Sequence, residues 1–319
     1  MVEQLYSSGI ARLRGYPHRT IYWLMDRRPS LFYAPWTVIF RSQLQAAVAA
    51  FRPNVIISTF HLLSAALAAV VDVPVISIVP AGGRVNRMCF AGSVRHFVFC
   101  DPESAKFALT SGVSPSRVSV LPHVLDPPAT SIPSQEEARR RLGLPSKLTV
   151  LVAAGSVGYG PHLTTFVRSL QPERVGVGLL VAAGRNERLR NELAAYAGES
   201  TVFIDPTEPS LIPYVAAADV VVGKAGWLTL TDAAAVGRPT LIVDRIRGQE
   251  DENARAACLS GLAQRLTPTE AAIRIRHYAA DRSTLVRDFT EADAPRRVAP
   301  EHETALAELV SRVVEGSQE

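Results

Sequence analysis

Short apolar runs without polar alternation recur along the chain at residues 55–58, 73–78, 96–99 and 118–120. Runs of this kind are what strands buried on both faces of a parallel sheet look like. Stretches with helical character lie between them, at 43–51, 61–71 and 104–111. A second series of strands is predicted at 148–154, 177–182, 202–204, 219–222 and 240–243. Between the two series, His123-Val124-Leu125-Asp126-Pro127-Pro128 through Pro133 is irregular and rich in proline, as a linker is. Ser134, followed by Glu136 and Glu137, reads as the cap and first turn of the next helix. Strand and helix in alternation imply doubly wound sheets. The expected organisation is an α/β chain of two Rossmann-like domains, 1–127 and 134–319, the second closing with an amphipathic helix over 301–314.

In open α/β sheets ligands bind outside the carboxyl ends of the strands. That rule selects His61, 155–160, Gly184-Arg185 and 223–232. Gly155-Ser156-Val157-Gly158-Tyr159-Gly160-Pro161 joins a strand to a helix, where glycines let backbone amides approach an anion and the helix start adds a favourable field. A tight turn without a ligand has the same sequence, and the glycine spacing is not the dinucleotide fingerprint. Gly223-Lys224-Ala225-Gly226-Trp227-Leu228-Thr229-Leu230-Thr231-Asp232 is a second glycine turn, leading into a helix at 230–236 that stops at Gly237 with Pro239 beyond. Thr229 and Asp232 have capping-box spacing, and spacing alone favours a cap. The functional alternative for Asp232 is a carboxylate accepting hydrogen bonds from two ribose hydroxyls. In Arg247-Gly248-Gln249-Glu250-Asp251-Glu252-Asn253-Ala254, Gln249 can both donate and accept, as sugar hydroxyls require, or be ordinary loop polarity. The three acids are consecutive, so their side chains diverge, and no metal site is expected.

Composition narrows the field. The formal charge of the 319 residues is +4, too small for a nucleic-acid footprint, and Lys106, Lys147 and Lys224 are the only lysines. Arg139-Arg140-Arg141 reads as a solvated helix face. Arg12-Leu13-Arg14 and Arg27-Arg28 lie near aromatics and suit an anionic lipid surface or a phosphorylated acceptor. Cys89, Cys100 and Cys258 are odd in number and lack metal-ligand spacing, which suits a reducing cytosol. Residues 53–71 carry no charge, yet Pro53, Asn54 and His61 make them a strand, turn and helix rather than a membrane span.

Taken together and in order, Lys224-Ala225-Gly226-Trp227-Leu228-Thr229, Asp232-Ala233, Gly237-Arg238-Pro239 and Gly248-Gln249-Glu250-Asp251-Glu252-Asn253-Ala254 resemble a long signature. It is similar to the carboxy-terminal donor domain of the MurG and monogalactosyldiacylglycerol synthase family of glycosyltransferases. Gly155-Ser156-Val157-Gly158 resembles that family's first donor-domain loop. The likeness covers residues 100–265 best, with weaker traces at 23–29 and 56–62. It implies a GT-B fold of two domains facing a cleft, a UDP-sugar donor, inversion at the anomeric carbon, and no cofactor or essential metal. It would place Gly155, Ser156 and Gly158 near the donor phosphates and Ile204 by the uracil. Lys224, Ala225, Gly226 and Thr229 would form the turn facing diphosphate and sugar. Asp232 stands where the family has Glu as ribose ligand, one methylene shorter. Gln249 and Glu250 would face the sugar hydroxyls, with Asn253 supporting their turn.

Three departures qualify the resemblance. Family members open with a strand and a glycine-rich, His-containing loop, and Met1 stands after that segment, so the first domain is expected to lack its first strand-loop-helix unit or to receive it from a partner subunit. Leu125 replaces an Arg before the linker, and Pro80-Ala81-Gly82-Gly83 replaces an Asp-containing strand end. Without the usual loop, His61 is the candidate base because it follows the strand at 55–58; a structural role at a helix start fits it equally, and His123 is a weaker candidate. The expectation is transfer of a hexose or N-acetylhexosamine to a lipid or secondary-metabolite hydroxyl, in the cytoplasm or peripherally at the inner membrane face. The alternatives are a nucleotide-sugar-binding subunit without activity of its own, and a UDP-sugar 2-epimerase or hydrolase.

Overall fold

The computed structural model describes residues 16–121, 132–290 and 302–316, which fall into two compact units. The first unit opens with two helices, α1 (Tyr16–Arg27) and α2 (Ser30–Phe51), the latter without a single fully buried residue. There follow β1 (Ile56–Ser58), α3 (His61–Ala68), β2 (Val75–Val79), β3 (His96–Phe99), α4 (Pro102–Thr110) and β4 (Val118–Val120). The strands form one parallel sheet in the order β1-β2-β3-β4. Helix α4 starts where the sequence dictates: Asp101 accepts from the Ser104 amide at 3.0 Å and Pro102 fills the first turn. Helix α2 is longer than the predicted 43–51, and α1 has no counterpart in the prediction. Neither buries a clear apolar stripe, so periodicity could not outline them.

The second unit contains α5 (Gln135–Arg141), β5 (Thr149–Ala153), α6 (Leu163–Leu170), α7 (Pro172–Val175), β6 (Gly178–Ala182), α8 (Glu187–Ala194) and β7 (Thr201–Phe203). It continues with α9 (Ile212–Ala217), β8 (Val220–Lys224), α10 (Trp227–Val236), β9 (Thr240–Asp244), α11 (Asp251–Leu259), β10 (Ala263–Arg265), α12 (Pro268–Ala280) and α13 (Arg282–Thr290). All strand pairs are parallel, in the order β10-β9-β8-β5-β6-β7. Strands β5, β6 and β9 are buried along their whole length, because helices cover both faces. Phe166 and Leu170 of α6 and Ile275 and Tyr278 of α12 pack on one face; Val215 and Ala216 of α9 and Ala233 of α10 pack on the other. The chain leaves the centre in one direction through β6 and β7, then returns to build β8, β9 and β10 on the opposite side. The strand order therefore reverses between β5 and β8, and a doubly wound sheet opens its ligand crevice at that point.

The last helix, α14 (His302–Glu315), corrects the expected domain boundary. It was expected to close the second domain, yet Leu309 and Val313 pack on Ile76 and Val98 of the first sheet. Arg95 of that unit donates to the Gly316 carbonyl at 2.8 Å. An amphipathic pattern announces a face to be buried and does not name the sheet that buries it. The predicted linker falls mostly outside the described residues, as do His123 and Leu125.

Leu309→Ala is expected to cost about 2–5 kcal/mol, the range for deleting a buried leucine side chain. Hydrogen exchange should quicken at the β2 and β3 amides and stay unchanged at β5 and β6; acceleration in β5 and β6 instead would contradict the assignment of α14.

Candidate functional site

The crevice between β5 and β8 is built from glycine turns that fold onto each other. Gly155 and Gly158 have φ of +72° and +67°, and the Gly158 amide donates to the Gly155 carbonyl at 2.9 Å. The turn after β6 locks this loop from beside: Arg185 N–H donates to the Ser156 carbonyl at 3.0 Å, and the Asn186 side-chain Nδ2 donates to the Gly158 carbonyl at 2.8 Å. The approach leaves no room for side chains. A methyl on Gly158 would lie 2.3 Å from the Ala183 carbonyl oxygen, and one on Gly184 would lie 2.3 Å from that of Gly155. Gly184 and Arg185 are thus part of the same loop structure, while the Ser156 side chain is exposed at its tip.

Lys224 ends β8, at a register shift between Gly223 and Lys224. Its side chain is only 12% exposed and lies over Gly155, where a methyl would meet Lys224 Cε at 2.6 Å; a methyl on Gly226 would meet Nζ at 2.9 Å. The ammonium is lodged between the two glycine turns and pairs with Glu250 Oε1. The Glu250 side chain is 4% exposed, and its Oε2 accepts from the Ile246 amide at 2.8 Å. Glu250 was expected to meet sugar hydroxyls. Its carboxylate is instead buried and committed to Lys224 and a backbone amide, so it holds the cation in place. Asn253 donates to the carbonyl of fully buried Ala225 at 3.1 Å, so it braces the turn after β8 rather than the Gln249–Glu250 turn it was expected to support. Gln249 lies half-buried in the same loop. The Ile204 side chain sits in the core beneath β6 and β7, and its amide extends the sheet to the Val181 carbonyl, so only its backbone is left to meet a ligand.

Helix α10 begins at Trp227, with Gly226 as its cap and no side-chain cap hydrogen bond. The capping role considered for Thr229 and Asp232 is therefore excluded: both lie inside the helix, Asp232 in its second turn. A glycine cap gives little signal in a sequence, which is why the predicted start fell three residues late. Asp232 is half-buried, and loss of solvent pushes its carboxyl up to about 7. The neighbouring acids diverge. Asp251 pairs with Arg245 and accepts from the Gly248 amide at 2.8 Å, while Glu252 pairs with Arg255 at 2.8 Å. Among the described residues no group of three or more His, Cys, Asp or Glu converges on one point.

Sequence reasoning missed Asp244, although it is the last residue of β9 and the strand-end rule would have selected it. Asp244 is buried; its Oδ2 accepts from the His162 amide at 2.9 Å, and its Oδ1 lies 3.3 Å from His162 Nδ1. In the first unit, His61 is the first residue of α3 and lies against Phe60, ring centroids 5.5 Å apart. Burial takes its imidazole down to about 4, so it is a weak proton acceptor in this state.

No protein-family model matches the chain. Its sequence is 26% identical over 270 residues to the chloroplastic monogalactosyldiacylglycerol synthase of Spinacia oleracea, a match covering 77% of this chain and 50% of that protein. The chain spans about half the length of the curated relatives it matches. Among solved structures, a UDP complex of Staphylococcus aureus MnaA superposes with a TM-score of 0.68 at 11% identity, covering 89% of this chain and 82% of that one. MurG of Acinetobacter baumannii superposes with a TM-score of 0.59 at 14% identity, covering 88% of this chain and 79% of that one. Those identities speak for the fold alone. The chain is a sequence relative of the monogalactosyldiacylglycerol synthases, and its parallel-sheet units have the GT-B fold that MurG also has.

Proposed function

We propose that the chain is an inverting glycosyltransferase that moves a hexose or N-acetylhexosamine from a UDP-sugar to the hydroxyl of a lipid, with no resident cofactor. The observation that carries this reading is the Lys224–Glu250 pair lodged between the two glycine turns at the strand-order reversal. An ion pair fixed there, beside the amides of the Gly155 loop and the start of α10, is an oriented dipole preorganised for a departing diphosphate. Asp232, inside α10, has the acceptor chemistry for ribose hydroxyls. Gln249, half-buried in the loop after β9, has the donor and acceptor chemistry that sugar hydroxyls need. The UDP-GlcNAc 2-epimerases share the fold at low identity; sugar turnover without transfer to an acceptor would favour that reading instead.

The lipid acceptor gives α1 and α2 a use. Among the described residues no helix is long and apolar enough to cross a membrane. Yet these two expose Trp23, Leu31, Ile39, Val38 (76%) and Phe51 (84%). Arg19, Arg27, Arg28, Arg41 and Arg52 accompany them, against Asp26 alone. Apolar side chains beside uncompensated arginines suit peripheral contact with an anionic bilayer. Vesicles containing phosphatidylglycerol should pull down the chain in a salt-sensitive way, and Val38→Asp with Ile39→Asp should weaken that by about tenfold or more, since a buried charge costs over a kcal/mol there. Equal binding to neutral vesicles would sink the electrostatic part.

Two predictions test the donor site. Asp232 must be ionised to accept from ribose hydroxyls, so UDP affinity measured by calorimetry should fall as pH drops through about 7. Asp232→Asn should flatten that dependence and weaken binding at pH 8 by about 10- to 100-fold, as expected for a hydrogen bond to a charged group. A pH-independent UDP affinity in the unsubstituted chain would remove Asp232 from the site. Lys224→Met strands the buried Glu250 carboxylate and should destabilise the second unit by about 3–5 kcal/mol. Adding Glu250→Gln keeps an acceptor for the Ile246 amide and should recover much of that stability without recovering UDP affinity. Recovery of both would make the pair structural only.

A further inference from the structure

The corner where β1 passes into α3 is held by more buried polarity than a turn requires. Phe60 is the N-cap of α3 and makes no side-chain cap hydrogen bond. Serine, aspartate or asparagine would fill that place far better. Three serine hydroxyls, one each from β2, α3 and β1, satisfy the Phe60 backbone instead. Ser77 donates to Ser64 at 2.9 Å, and Ser64 Oγ lies 2.9 Å from Ser58 Oγ and 3.1 Å from the Phe60 carbonyl oxygen. Ser58 accepts from the Phe60 amide at 3.4 Å and donates to its carbonyl at 3.3 Å. All three serines are buried. Buried hydroxyls are costly unless each is hydrogen-bonded, and here they converge on the backbone of a single corner residue.

The side chain fixed in this way does not enter the core. Phe60 is 40% exposed, at the carboxyl end of a parallel strand, where open α/β sheets present ligand-binding groups. Its neighbours are aromatic. Trp36 of α2 meets it edge-on with ring centroids 6.2 Å apart, Phe40 lies 5.3 Å from Trp36, and His61 lies 5.5 Å from Phe60. Loss of solvent takes the His61 imidazole down to about 4, so it carries no charge at neutral pH. Among the described residues no guanidinium stacks on Trp36, Phe40 or Phe60, whereas Trp23 of α1 carries Arg27 at 5.2 Å. The corner is therefore an apolar, uncharged wall. Its rings are tilted or edge-on to one another, at 41°, 74° and 52°, and so present hydrocarbon edges rather than one flat face. Along α2 the wall is continuous with Val38 and Ile39, which lie between Trp36 and Phe40 in sequence and are exposed.

We propose that this aromatic corner binds an acyl chain of the lipid acceptor, with Phe60 in contact with the chain and the Ser58–Ser64–Ser77 hydroxyls positioning Phe60. The assignment rests on the reading of the protein as a transferase acting on a lipid. An acyl chain that follows α2 from a bilayer to the corner exchanges one hydrocarbon surface for another, so it is never exposed to water on the way. The hydroxyl-bearing end of the same lipid is thereby brought to the carboxyl edge of the first sheet. A positioning role for the serines also explains why three polar side chains are buried around a residue that fills no space in the core.

The test uses the full chain with UDP-galactose and two acceptors, dioleoylglycerol and dihexanoylglycerol, in mixed micelles. Phe60→Ala should raise KM for dioleoylglycerol by about 10-fold, the weight of part of an aromatic side chain withdrawn from water, and much less for dihexanoylglycerol. KM for UDP-galactose should not move. Phe60→Leu, which keeps apolar bulk at the corner, should recover most of the loss. Ser64→Ala should shift KM for dioleoylglycerol in the same direction as Phe60→Ala; an unchanged KM there would overturn the positioning role of the serines. Binding is read without turnover by photolabelling with a diacylglycerol that carries a diazirine on one acyl chain. Residues 60–63 should be labelled, and less so in Phe60→Ala. Labelling confined to Val38 and Ile39 would overturn the site, as would a KM loss of equal size for both acceptors or none at all in Phe60→Ala. Labelling of 60–63 in a chain that binds UDP-galactose and releases no UDP would support the lipid site and overturn the transferase reading.

Discussion

The second unit is organised around a buried ion pair for which glycine makes the room. A lysine and a glutamate both withdrawn from water are costly unless each is closely paired and the leftover lone pairs are met. Here the ammonium meets Glu250, and the second carboxylate oxygen meets the Ile246 amide. Any Cβ at Gly155 or Gly226 would occupy the space the lysine needs. The pair ties together the exits of β5 and β8 and the start of α11, the three places from which a doubly wound sheet presents ligand-binding groups. Its net charge is balanced inside the protein, so a bound diphosphate would meet an oriented dipole reinforced by helix starts rather than a bare cation.

Desolvation works in one direction at two of the ionisable groups singled out by the sequence, and with opposite consequences. It raises the Asp232 carboxyl and lowers the His61 imidazole, so each favours its neutral form. For a carboxylate that received hydroxyl hydrogen bonds, ligand donors would restore the charged form on binding and so couple affinity to pH. For a base, the same loss of solvent removes the proton affinity the task requires. One physical cause thus leaves Asp232 to be ionised by its ligand and makes His61 a weaker proton acceptor in this state.

Much of this was legible in the sequence. All nine strands expected from apolar runs are present within two or three residues, because buried parallel strands have few alternatives. The glycine turns and the Lys224 to Asn253 signature were also legible. What failed to show depended on tertiary context. Helices α1 and α2 have no buried stripe to betray them, β10 is a three-residue edge strand, and α14 carries a face without an address. The Thr229–Asp232 spacing mimicked a cap because the real start, at Gly226, has no side chain to announce it. Glu250 looked like a sugar ligand because nothing local revealed that Lys224, 26 residues away, would claim it.

Position in the sheet separates structure from chemistry more reliably than residue type does. Asp219 and Asp244 are two aspartates with largely covered carboxylates, 9% and 3% exposed, at strand ends of the same sheet. Asp219 precedes β8 at its amino end and is saturated: Arg139 at 2.6 Å, the Thr149 amide at 2.7 Å and Gln135 at 3.1 Å consume its lone pairs. Its partners bind α5 to the floor of the sheet, and none of them is free to act on anything else. Asp244 closes β9 at its carboxyl end, and its charged-group partner is the half-open ring of His162 rather than an arginine. An arginine would have fixed the carboxylate permanently, since guanidinium does not lose its proton. Imidazole, unlike guanidinium, can take up a proton and give it back. The amino end of this sheet therefore spends its acid on holding the fold, while the carboxyl end keeps its acid against the half-open ring of His162.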